Sequence, residues 1–229
     1  MCHDAEQSFN KIGPNIAALP PKRSIFSFYM MAAIYKMCYF LRIFSQTLLS
    51  MQPIQMADAV KCSVSIGSVV ESQWRELVFK DSNQKEMMFL ERSLVSNAEE
   101  LQSEIADFVL ELQKNSSPNT KWVVDYLRNT RVIYTIEVAS LQDMQIAQRL
   151  QTEIWLKVNG ILQSDIEGFR DELGYLVVAS ETTLQGVQRV ALLKDERWVR
   201  FSINTADEIQ RRSFLAGEVP MGIAIHAIG

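Results

Sequence analysis

The chain has 229 residues, nearly half of them apolar, with few glycines and prolines and a net charge of −4. That composition is globular and fits one domain with an extension, and it excludes a disordered or collagen-like chain. Charge is divided unevenly: residues 1–57 carry five basic and two acidic groups, and residues 58–229 carry 18 basic and 25 acidic ones. An acidic body argues against nucleic-acid binding, which draws its affinity from clustered Lys and Arg. Cys2, Cys38 and Cys62 show no CxxC spacing, and no cysteine follows residue 62. A disulfide framework or thiolate zinc site in the body is thereby excluded, and a reducing, cytoplasmic setting is the expectation.

Residues 1–57 read as a non-globular, apolar and basic leader, because Gln7–Ala57 contains no acidic residue. Ser24–Tyr35 is uncharged, but Lys36 and Arg42 interrupt the apolar run. A bilayer span needs roughly 20 apolar residues, so residues 24–49 would anchor a membrane only with both charges in the hydrocarbon. The alternatives are an organelle-targeting segment, or a misassigned start with Met51 or Met56 as the true first residue.

Residues 58–229 read as a single α+β domain. Cys62–Val70 alternates as a strand broken by Gly67, and Trp74–Lys80 with Glu86–Glu91 forms a hairpin. Ser96 and Glu99 make a capping-box pattern that opens a helix bearing Leu101, Ile105, Phe108, Val109 and Leu112 on one face. Asn115–Pro118 ends that helix. Arg131–Ala139 is a β-branched strand, central in the sheet. Ser140 and Asp143 start a second helix with Met144, Ala147, Leu150 or Gln151, Ile154 and Val158 inward, stopped by Asn159-Gly160. Ile161–Phe169 and Tyr175–Ser180 are strands flanking a turn at Gly174, and Val187–Leu193 pairs with Arg197–Ile203. Thr205 and Glu208 cap a third short helix ending near Gly217, and Ile223–Ile228 adds an edge strand. The sum is a mostly antiparallel sheet of hairpins with about three interspersed helices.

Chemistry-bearing motifs are sparse. There are two histidines, His3 and His226, and His226 reads as a strand-end residue, so Ser-His-Asp, Cys-His and HExxH arrangements have little to build on. Neither GxGxxG nor GxxxxGK[ST] occurs. Asp165, Glu167, Asp171 and Glu172 cluster around Gly168-Phe169. On one strand, Asp165 and Glu167 would share a face and, with Asp171 in support, could hold Mg²⁺ or Ca²⁺. Trp198 and Arg200 would lie on the polar face of the last hairpin and could anchor a partner protein.

The function expected is that of a soluble protein-binding or structural module without a self-evident catalytic centre, binding a partner protein or a second copy of itself. One alternative is a divalent-metal enzyme built on Asp165 and Glu167. Another is a membrane-tethered domain, which requires that the leader be retained.

Overall fold

A computed structural model describes residues 39–70, 73–95, 99–114, 117–138, 140–165, 167–180 and 186–226. In chain order the strands are β1 (Tyr39–Ser45), β2 (Ser63–Val70), β3 (Gln73–Lys80), β4 (Glu86–Leu94), β5 (Val132–Val138), β6 (Ile161–Ser164), β7 (Gly168–Arg170), β8 (Leu176–Ala179), β9 (Val187–Lys194) and β10 (Arg197–Asn204). The helices are α1 (Pro53–Val60), α2 (Glu99–Gln113), α3 (Pro118–Arg128), α4 (Met144–Val158) and α5 (Glu208–Leu215). The strands form one sheet in the order β10-β9-β8-β7-β6-β1-β5-β4-β3-β2. Every pairing is antiparallel except β8 with β9. This is the α+β, hairpin-dominated class that the sequence implies.

The domain boundary moves. The sequence reading ended the leader at residue 57, yet β1 lies inside the sheet, with Ile43 opposite Tyr134 on one side and Leu162 on the other. Ile43, Phe44, Met56 and Ala57 are all core residues. A chain starting at Met51 or Met56 would lack the strand that joins β5 to β6. The proposed anchor at residues 24–49 also fails at Tyr39–Ser45, which is a strand paired with β5 along its length and with β6 from Leu41 to Phe44. Among the described residues no helix is long and apolar enough to cross a membrane. Residues 1–38, including the apolar run Ser24–Tyr35, lie outside the described residues.

Helices cover both faces of the sheet. On one face, α1 and α4 pack on Leu41, Ile43, Leu77, Phe79, Leu90, Tyr134 and Ile136. α4 follows its predicted pattern: Ser140 Oγ accepts from the Gln142 N–H, and Ala147, Leu150, Gln151, Ile154 and Val158 are buried. Asn159 ends it in the left-handed region at φ 48°. Gly160 follows because a Cβ there would stand 2.4 Å from the Phe44 carbonyl oxygen of β1, closer than any side chain tolerates. On the opposite face, α2 and α3 cover Phe44, Ile133, Phe169 and Ala191. Phe44, Phe108 and Phe169 form a ring cluster with centroids 5.7–6.1 Å apart. A third cluster joins Phe214 of α5 to Leu176, Val190, Phe201 and Ile203.

Five helices occur among the described residues rather than about three. The sequence reading took Pro118 as a terminator of α2, but it is the first residue of α3, where a missing N–H costs nothing. Ser117 caps α3 by accepting from the Thr120 N–H. α1 was hidden inside the leader, and it too begins at a proline. The third predicted cap shifts: Asp207, not Thr205, accepts from the Ile209 and Gln210 N–H groups, while the Thr205 hydroxyl donates to Gly186 O. The Ser96 cap lies outside the described residues. The tail touches β10 through the Phe201–Ile225 bridge and the His226 N–H to Arg200 O, at 2.7 Å.

Candidate functional site

The three carboxylates singled out by the sequence are not brought together. Ile161–Phe169 is not one strand: β6 ends at Ser164, which pairs with Gly168 of the antiparallel β7, and Ser164 Oγ accepts from the Glu167 N–H at 3.1 Å. Gly168 takes φ +98° to complete this turn. Asp165 and Glu167 therefore sit in a turn and do not share a strand face. Each acid instead holds a different arginine: Asp165 with Arg42 at 2.8 Å, Glu167 with Arg170 at 2.9 Å, and Asp171 with Arg200 at 3.1 Å. Among the described residues no group of three His, Cys, Asp or Glu side chains is placed to share a metal ion. Asp165, Glu167 and Arg170 do border a cavity of about 430 Å³ between α4 and the sheet, walled further by Leu41, Met144 and Leu162.

Arg42 is one of the two charges that a span over 24–49 would have placed in hydrocarbon. It is 4% exposed, on the α2 face of β1. Its Nε donates to Glu104 of α2 at 3.1 Å, and its Nη1 donates to Gln163 at 2.9 Å and to Asp165. The guanidinium also lies 5.1 Å and 5.6 Å from the Phe40 and Phe108 ring centroids. A buried cation is tolerable only with such complete pairing. Arg42 thus cross-links β1, α2 and β6.

Asp171 and Arg200 form a second buried pair, 2% and 9% exposed. Asp171 Oδ1 accepts from the Leu173 and Tyr175 N–H groups at 3.0 and 2.8 Å, holding the β7–β8 turn. Its Oδ2 accepts from Arg200. Arg200 is therefore no partner anchor on an exposed face, and its Nε is a buried donor without a partner among the described residues. Trp198 is half-buried against Trp122 of α3, edge to face at 5.0 Å. The alternation of Trp198, Arg200 and Ser202 was legible; the helix covering that face was the one missed. His226 lies 3.3 Å from both Tyr175 Oη and Ser202 Oγ. Two hydroxyls flank the imidazole, and among the described residues it has no carboxylate of the kind that fixes the tautomer in a Ser-His-Asp triad.

The open feature is β2, at one end of the sheet. Its sequence Ser63-Val-Ser-Ile-Gly-Ser-Val-Val70 is uncharged over eight residues, and among the described residues β3 is its one strand neighbour. Ile66 and Val69 are 57% and 55% exposed. The predicted irregularity at Gly67 is present as a register shift between Ile66 and Ser68. The opposite end, β10, is covered in part by the tail.

No family model matches the chain, and no curated protein or solved structure is significantly similar to it.

Proposed function

We propose that this protein is a protein-binding module that associates with a second copy of itself along β2. The supporting observation is an eight-residue edge strand with no charge and with exposed Ile66 and Val69. Edge strands expose unpaired N–H and C=O groups, and soluble proteins commonly guard them with Lys, Pro, bulges or a covering segment. Among the described residues β2 carries only the bulge. Pairing about a two-fold axis sets residue i opposite residue j and j opposite i, so a charge at the axis would face and repel its own image. An uncharged strand meets that condition. The Gly67 bulge divides the edge into Ser63–Ile66 and Ser68–Val70, and pairing is expected along one of these runs.

Size-exclusion with light scattering over a hundred-fold concentration range tests this. A dimer that dissociates on dilution, and that Val69→Lys shifts to monomer without loss of thermal stability, is the expected result. A monomer at every concentration refutes it.

A further inference from the structure

We propose that the pocket between α3, β10 and the β7–β8 turn binds a small organic cation, an alkylated ammonium head group. The cavity is about 340 Å³ and is walled by Trp122 and Tyr126 of α3, Trp198 of β10, Glu172 of the β7–β8 turn, and Asn159 at the end of α4. That volume lies at the small end of ordinary ligand sites, roughly 300–1,000 Å³.

Three independent features favour positive charge there. The first is aromatic: Trp122 stands edge to face with Trp198 at 5.0 Å and tilted to Tyr126 at 5.7 Å. All three rings border the cavity, and aromatic rings attract cations, Trp most strongly. Trp198 already shows this affinity within the fold, with the Arg200 guanidinium 5.8 Å from its ring centroid. The second is Glu172. Among the described residues its carboxylate has neither a hydrogen bond nor an ion pair, whereas Asp165, Glu167 and Asp171 nearby each hold an arginine. Asp171, Glu172 and Arg200 together leave one net negative charge. The third is the C-terminal end of α4, whose last turn meets the pocket at Val158 and Asn159. A helix C-terminus carries partial negative charge.

Burial and the neighbouring Asp171 raise the Glu172 pKa, opposed by Arg200, so the ionised carboxyl works against the fold that contains it. A charged group kept at such a cost is what a binding site exhibits. An alkylated ammonium fits better than a bare one. Its methyl groups contact ring faces without losing hydrogen bonds to water, and its diffuse charge needs one carboxylate rather than a full set of acceptors.

The test is titration calorimetry with choline and tetramethylammonium against 3,3-dimethylbutanol, which has choline's shape without its charge. Saturable binding in the millimolar range, at least ten-fold tighter for the cations, is expected. Glu172→Gln should weaken it about ten-fold with the fold intact. The Trp122 and Trp198 indole N–H resonances should move during the titration while that of Trp74 stays. Absence of saturable binding, equal binding of the neutral alcohol, or no effect of Glu172→Gln each overturns the proposal. The outcome is independent of whether β2 pairs.

Discussion

Replacing Asp171 tests how far this fold depends on ion pairs between distant segments. Asp171→Asn keeps an oxygen for the Leu173 and Tyr175 N–H groups but leaves Arg200 without its counter-charge. Breaking a buried pair from one side costs ~3–5 kcal/mol. Since the Arg200 side chain retains 10% exposure, the lower end, about 3 kcal/mol, is expected. Asp171→Ala also removes the acceptor of two backbone donors, each worth about 1 kcal/mol, bringing the loss to about 5 kcal/mol. Arg200→Met should cost less, about 2 kcal/mol, because the turn's N–H groups continue to stabilise the carboxylate. The Asp171→Asn, Arg200→Met double variant should lose about 2 kcal/mol, falling ~3 kcal/mol short of the sum of its singles. Urea unfolding is the assay. With an m-value of about 2 kcal/mol/M, a loss of 3 kcal/mol lowers the midpoint by roughly 1.5 M at unchanged slope. Single-variant losses that add to within ~0.5 kcal/mol would show that the contact contributes nothing as a pair, and the reasoning would be refuted.

Two further outcomes follow from the same structure. A chain starting at Met51 lacks β1, which pairs with β5 over seven positions and with β6 over four. It is expected to lose cooperative thermal unfolding by circular dichroism, whereas a chain starting at Met37 retains the strand. Glu172 has a raised pKa in the folded state, so the fold binds its proton more tightly than the unfolded chain does. Stability from this group is present below its ordinary value of 4.5 and declines as pH rises through the raised one. Glu172→Gln should therefore raise Tm at pH 7, with the gain vanishing near pH 4. A lower Tm at pH 7 would contradict the assignment. Asp171, Arg200 and Tyr126, whose own pKa burial pushes up to about 12, are the titratable groups facing it.

Local elements were largely legible in the sequence. Ser140, Asn159 and the spacing of Ala147, Leu150, Ile154 and Val158 describe α4 from cap to stop, because each signal acts within four or five residues of its partner. The β9–β10 hairpin was equally plain. Errors arose where one local signal permits two readings. A proline after Ser-Ser closes one helix or opens the next, and Pro118 opens α3. An apolar stretch without acids reads as an anchor or as a strand buried on both faces, and Tyr39–Ser45 is the strand. Asp165 and Glu167, two residues apart, suggest a shared face unless a turn intervenes, and Gly168 supplies one.

The candidate sites depend on longer range. Arg42 is neutralised by Glu104, 62 residues away, and by Asp165, 123 away. The aromatic pocket draws its walls from Gln46 and Thr47, from the end of α4, from Glu172 and Trp198, and from α3, a helix absent from the sequence reading. By itself the sequence determined the α+β class, the β3–β4 and β9–β10 hairpins and the Ser140 cap of α4, since periodicity and capping are short-range effects. Only the tertiary structure decided that β1 belongs to the core, that Asp165, Glu167 and Asp171 each hold an arginine, and that Glu172 borders the aromatic pocket with no ion pair among the described residues. Charge compensation and cavity shape are set by which distant surfaces pack together, and no local pattern encodes that.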